Sequence, residues 1–344
     1  MTVIDIKQLK ERAVDYAEDC SDAKSKLRTF AFGEDNSLAF ETENKGVAMQ
    51  GVFNDWSFNQ LCYKLNVPAG WVGNPKNCPE PLKIKILSEL AGIYRDDGDY
   101  LLRMKGNVLR AILSSQYSIF DNLEFVDLIE EAVATMGIEA KVHRYTVGDD
   151  MRAYLVFPSV TFAPDPQAQS HENGDNGGLH PAMYISNSER GGGSARVAGA
   201  VYRAICTNGV IFGWKSEEGL NVRHRYHSKA MMGAMVADGI AEALRMSEEA
   251  TRRFIASQDV KIKPVSLAGI VDQWAGKYGI TVSTKENWLA SITTESVANG
   301  RKGDPRLFDI VNAATYVAQT ASEFETERME RIAGAMLQGH AALH

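Results

Sequence analysis

The residues best placed to do chemistry lie between Ser186 and Ala230. Seven lysines and arginines (Arg190, Arg196, Arg203, Lys215, Arg223, Arg225 and Lys229) stand there against three acids, Glu189, Glu217 and Glu218. That is a local +4 in a chain whose net charge is −7. Tyr202, Trp214 and Tyr226 are interleaved with the cations. Cations for phosphates beside aromatic faces for bases is the pairing that single-stranded nucleic acid requires. The run Gly191-Gly192-Gly193 would let backbone N–H groups approach an anion. It is not a nucleotide fingerprint, because G-G-G-S lacks both the spacing of G-x-G-x-x-G and the lysine of a P-loop. The acidic remainder of the chain gives no long-range attraction for nucleic acid, so any such site must be local.

Two other constellations bear on chemistry. Asp127 followed by Glu139-Ala140-Lys141 has the residue types of a metal-dependent nuclease, with carboxylates for Mg²⁺ and a lysine beside the attacking water. The spacing is permissive, and two surface charges on an alternating strand satisfy it as well. His224 and His227 form H-x-x-H inside R-H-R-Y-H, where the flanking arginines disfavour a bound cation. They read as polar surface or phosphate-contacting residues. No nucleophile elbow, zinc-protease helix or kinase signature is present, so no catalytic residue and no cofactor is assigned.

The elements that must position these residues follow from periodicity and punctuation. An amphipathic helix is expected over 4–18, and short strands between Arg28 and Phe53. Asn54 or Ser57 caps a helix through Leu65, and Leu82 to Tyr94 forms another. Strands Tyr100–Lys105 and Val108–Ser114 flank a Gly106-Asn107 turn. Asp121 or Asn122 caps a helix ending near Gly137. Strands follow at Ile138–Val147, Met151–Phe157 and His180–Ser188, with a polar loop from Pro164 to Gly178 before the last. Ala195–Cys206 reads as a helix, with a strand as the alternative, and ends at the turn Thr207-Asn208-Gly209. From residue 228 the grammar becomes helical, with helices expected over 228–245, 247–257, 264–278, 283–298, 305–318 and 320–338. The fold class is therefore α+β. An antiparallel sheet with packed helices, a β-β-β-α core unit, occupies 1–227, and a helical domain occupies 228–344.

Composition sets the class. At 344 residues, 44% hydrophobic and 24% charged, the chain can bury sizeable cores and falls in the range of globular proteins. Cys20, Cys62, Cys78 and Cys206 are scattered, which fits a reducing compartment better than a disulfide framework. The first twenty residues lack the apolar stretch of a secretory signal, and no run approaches a membrane span. The expectation is a cytoplasmic protein without membrane association.

Several segments together resemble the phage- and plasmid-borne family called domain of unknown function 932. They are Ser57-Phe58-Asn59-Gln60-Leu61-Cys62 with Val67-Pro68; Leu102-Arg103; Arg110 to Tyr117 with Asp121-Asn122; Ile185 to Glu189 with the glycines; and Cys206-Thr207-Asn208-Gly209. The resemblance runs from about residue 40 to about 320. Gln116 departs from it, since the family often has a basic residue before the tyrosine. More distantly, the segment Ala200 to Gly213 is similar to a helix and Asn-Gly turn in the Rad-fifty-two-like strand-annealing proteins. That likeness implies a ring- or filament-forming homo-oligomer that holds single strands by the backbone. The resulting expectation is a phage or mobile-element single-stranded DNA-binding and annealing protein of recombination. Phosphates would be held by the seven cations above, bases would stack on Tyr202, Trp214 and Tyr226, and Lys141, Arg144 and Arg152 would widen the groove if they share a face. Phage or host recombination proteins would be its partners. The alternatives are a nuclease using Asp127, Glu139 and Lys141, and a non-enzymatic phage protein that binds a host protein.

Overall fold

The computed structural model describes residues 3–43, 48–93, 98–160, 163–164, 178–203, 210–212, 220–225, 229–262, 264–301 and 304–338. In chain order the elements are β1 (Ile4–Asp5), α1 (Ile6–Ala17), β2 (Cys20–Ser25), β3 (Ala31–Phe32), β4 (Ser37–Glu41) and β5 (Ala48–Phe53). Then come α2 (Asp55–Lys64), α3 (Ala69–Val72), α4 (Glu80–Ile93), β6 (Tyr100–Lys105), β7 (Val108–Ser114) and α5 (Asn122–Thr135). The centre holds β8 (Lys141–Thr146), β9 (Asp150–Val156), β10 (Ala163–Pro164), β11 (Gly178–Ser188), β12 (Ala195–Arg203), β13 (Val210–Phe212) and β14 (Leu220–Val222). Helices α6 (Lys229–Ala256), α7 (Pro264–Tyr278), α8 (Val282–Ala298), α9 (Leu307–Thr320) and α10 (Glu323–Gln338) follow.

These elements build two sheets. The N-terminal one runs β2-β6-β7-β5-β4-β3 and is antiparallel except for the β5–β7 pair. The central one runs β1-β8-β9-β11-β12-β13, with β10 added to β11 and β14 added to β12, and every pair in it is antiparallel. Alternation fixes its two faces. Val142, Met151, Ala153, Leu155, Met183, Ile185, Ala195 and Val197 point to one face. There they form a core with Leu9 of α1, Phe125 and Ile129 of α5, and Val236 and Ile240 of α6. Tyr154, Val156, Ala182, Tyr184, Ala198 and Ala200 pack together on the other face. The mixed α+β class, with an antiparallel sheet, packed helices and a largely helical C-terminal region, is as expected.

Two elements differ from expectation. Residues 195–203 are the strand β12, paired with β11 along eight registered positions, and not a helix. Both of its faces are buried, so the polar alternation that marks a half-exposed strand is missing, and its alanines carry helix propensity that tertiary pairing overrides. The strand-annealing likeness depended on a helix at this point, so it loses its main element. The helices expected over 228–245 and 247–257 are one 28-residue helix, α6. Ser247, where the second was expected to begin, is fully buried, and its hydroxyl donates across to the Ala200 carbonyl of β12. Gly199 makes that approach possible, because a Cβ there would stand 2.2 Å from the Ala243 carbonyl of α6. The expected 164–178 loop, apart from its end residues, and the Thr207-Asn208-Gly209 turn lie outside the described residues.

Candidate functional site

The site begins with α2. Asn54 caps it by accepting from the Ser57 amide, while the Ser57 hydroxyl accepts from the Asn54 amide. The helix buries Ser57, Leu61 and Cys62 against the N-terminal sheet and leaves Trp56, Gln60 and Tyr63 in one stripe on its other side. Across from that stripe run Ile112, Leu113 and Ser114 at the end of β7, then Tyr117. The β11–β12 turn, Gly191 to Ser194, forms a third wall, and Arg223 and His224, just after β14, form a fourth. Together they enclose a cleft of about 650 Å³.

The glycine turn is held residue by residue. The Tyr117 hydroxyl donates to the Ser188 carbonyl at 2.9 Å, and Arg103 donates to the Glu189 carbonyl at 3.0 Å. The Arg190 carbonyl accepts from Trp56 Nε1 and Gln60 Nε2, each at 3.0 Å, and the Gly192 amide donates to the Ser188 hydroxyl at 2.9 Å. Gly191 sits at φ +76°, and a Cβ there would come within 2.7 Å of Leu113 Cδ2. The backbone angle favours glycine at this position, and any Cβ there would also have to displace the tip of Leu113.

Beneath the turn lies a buried ionic network joining the two sheets. Arg103 and Arg110 sit within apolar strands and are each 1% exposed. Arg103 binds Asp22 through Nε at 2.9 Å and contacts Asp121 at 2.6 Å. Arg110 reaches Glu189 at 2.5 Å and Asp149 at 3.1 Å. Glu189 also accepts from the Asn122 amide at 2.8 Å, and Tyr16 donates to Asp149 at 2.7 Å. Burial opposes charge on both guanidiniums, but the surrounding carboxylates outweigh it and hold their pKa values above the ordinary value. Burial lifts the Glu189 carboxyl above its usual range, while Arg110 and the Asn122 amide pull it back.

The expected site residues divide into three groups. Arg190 borders the cleft, with its guanidinium 4.4 Å from the Trp56 ring centroid and paired with Asp150. Arg223 and Arg225 are exposed beside it, and Arg225 donates to the Gln116 carboxamide at 3.0 Å. Lys141, Arg144, Arg152, Arg196 and Tyr202 lie together on the second face of the central sheet, so the preceding-strand cations do share a side with Arg196. That face meets α10. Glu330 pairs with Arg144 at 2.5 Å and Glu327 with Arg152 at 3.3 Å. Trp214, Lys215 and Tyr226 lie outside the described residues, as does His227, and the side chains of Arg203 and Lys229 are not described.

His224 does not lie at the surface, although its neighbours in sequence implied that it would. It is 5% exposed, stacked parallel on Tyr117 at 5.0 Å, and burial pushes its pKa down to about 4. Asp127 is held by Lys10 at 2.8 Å and Glu139 by Lys141 at 2.6 Å. Among the described residues no group of three or more His, Cys, Asp or Glu is arranged to hold a metal ion.

Trp56, Gln60, Tyr63, Arg103, Arg110 and Tyr117 were not assigned from sequence. The 56–60–63 spacing on a capped helix, and an arginine inside each of the apolar runs LLRM and VLRAIL, were signals that could have found most of them. The segments carrying the family resemblance meet here: 57–62 in α2, 110–117, 121–122 and 185–193. The profile of the family described as "Domain of unknown function (DUF932)" matches residues 111–287. The chain belongs to the DUF932 family. No curated protein matches it. No solved structure matches it either, so the Rad-fifty-two-like resemblance has no structural neighbour behind it. Within this DUF932 chain, Tyr117, Asn122, Glu189, the glycine turn and His224 fall inside the matched span, and α2, Arg103 and Arg110 precede it. No described helix is long and apolar enough to cross a membrane.

Proposed function

We propose that this protein binds single-stranded nucleic acid as a non-catalytic annealing protein of recombination, with bases entering the cleft between α2 and the glycine turn. The observation that carries the reading is the α2 wall. It presents Trp56 and an 86% exposed Tyr63 on one stripe, beside Arg190 and Arg223, around a turn whose shape is already fixed. A solvent-facing tyrosine costs little to retain and offers a π-face to any base, which is the sequence-tolerant contact single-strand binders use. Cations at the rim suit phosphates, while the net charge of −7 confines attraction to that rim. A preformed turn reduces the ordering cost of binding.

Fluorescence anisotropy of a labelled single-stranded oligonucleotide at low salt tests this. Wild type is expected to bind, with affinity falling as salt rises. Trp56→Ala with Tyr63→Ala should weaken binding at least about tenfold, since each stacked base contributes roughly 1–3 kcal/mol. Absence of binding would overturn the reading. So would unchanged binding in that variant together with loss in Arg196→Ala, which would move the site to the second sheet face. Growth of an assembly on the strand, read as mass in solution, separates annealing from simple binding.

A further inference from the structure

We propose that the bound single strand does not end in the cleft, and that its phosphates continue onto a row of side chains at one end of the second sheet face, held by Arg196 and Arg152. The proposal rests on the reading of the cleft as a single-strand site. Strand register fixes the row. Arg152 of β9 is the partner of Ser186 on β11, Ser186 is the partner of Arg196 on β12, and Arg196 is the partner of Asn221 on β14. Thr146 of β8 extends the row beyond Arg152. Residues directly opposite one another share a face, and neighbouring strands lie about 4.8 Å apart, so the two arginines start roughly 10 Å apart with a serine between them. Long side chains at that spacing reach consecutive phosphates of one strand.

Two contacts join this row to the cleft. The hydroxyl of Ser194, which lines the cleft, donates to the Asn221 carboxamide. Arg190, lying over the Trp56 ring, pairs with Asp150, two residues before Arg152 on the same face of β9. That step along a strand is about 7 Å. The row is also open to solvent. Thr146, Arg152 and Asn221 are exposed and Ser186 and Arg196 half-buried, whereas Tyr154 and Tyr184, the next pair on that face, are buried. Charge favours an anion here. Arg152 at 3.3 Å and Arg331 of α10 at 2.8 Å share the Glu327 carboxylate, while Glu330 is taken up by Arg144. Burial lowers the pKa of Arg196, and Arg331 adds to that against Tyr184 and Glu327. A phosphate relieves this crowding of guanidiniums. The Arg152 side chain is 56% exposed, so its pair with Glu327 is of the weak surface kind and yields to phosphate.

The test is fluorescence anisotropy over a salt series with labelled oligo-dT strands of about four and about twelve nucleotides. Wild type is expected to bind the longer strand more tightly and with a steeper salt dependence. Arg152→Ala with Arg196→Ala should weaken the longer strand roughly tenfold and flatten its log–log salt slope by about 0.7 for each arginine, with the shorter strand unchanged. Glu327→Gln, which releases Arg152 and Arg331, should tighten the longer strand alone. Equal losses on both lengths, or no loss on either, would overturn the proposal, while short-strand binding that is lost in Trp56→Ala/Tyr63→Ala keeps the cleft reading intact. If wild type binds neither length, the cleft reading falls and this proposal with it. Should Arg196→Ala fail to fold, Arg152→Ala on its exposed side chain must by itself flatten the slope for the longer strand by about 0.7, and an unchanged slope would overturn the proposal.

Discussion

At the scale of single residues, the glycine run divides into positions with different duties. Gly191 combines a positive φ with Leu113 only 2.7 Å from where a Cβ would stand, whereas at Gly193 the nearest atom is 3.7 Å away. Gly191→Ala should therefore cost roughly 1–3 kcal/mol of stability, and Gly193→Ala should stay within about 0.5 kcal/mol of wild type. Thermal denaturation of the two variants checks this, and equal midpoints would contradict it. A freely flexible turn would treat the three glycines alike. The hydrogen bonds that hold the Ser188, Glu189 and Arg190 carbonyls fix the backbone that leads into Gly191.

At the scale of elements, the two sheets are joined by charge as well as by apolar packing. Removing Arg110 leaves Glu189 and Asp149 facing a buried void without their cation. Arg110→Met should destabilise by about 3–5 kcal/mol in urea denaturation, the cost of stranding a buried partner. A loss under about 1 kcal/mol would show that the network is solvated, like a surface pair. The elements themselves were largely legible. The cap at Asn54, the Gly106-Asn107 turn and the alternation in β8 and β9 all placed structure correctly, because each is a local signal. Strand β12 was not legible, since its register depends on β11 and on α6 crossing at Gly199, and neither is visible locally. The cleft was illegible for the same reason. Its walls come from residues 56–63, 112–117, 191–194 and 223–224, and only the glycine turn with its neighbouring arginine announced itself.

At the scale of the whole molecule, two buried groups set opposing pH dependences. Glu330 on α10 faces Arg144, Tyr154 and Glu327, and burial raises its pKa from 4.5 to about 7 despite the arginine. The folded chain holds that proton more tightly than the unfolded one. Its stabilising contribution is therefore full below pH 4.5 and is lost as pH rises through about 7. His224 runs the other way. Its pKa falls from 6.5 to about 4, so its contribution is present above pH 6.5 and is lost as pH falls through about 4. In the shared window the slopes offset each other. Urea midpoints at about pH 5 and about pH 7 should show His224→Phe gaining stability on acidification relative to wild type, and Glu330→Gln losing it. Parallel profiles for all three proteins would contradict the assignment.

The same molecule offers two surfaces to a polyanion: the open cleft at α2, and the arginine-bearing sheet face whose Arg144 and Arg152 are already engaged by α10 carboxylates. Ultraviolet crosslinking of a bromouracil-substituted single strand, followed by peptide mapping, separates them most directly. The account expects adducts on Trp56, Tyr63 or Tyr117. Adducts confined to β8, β9 and β12, or none at all, would contradict it.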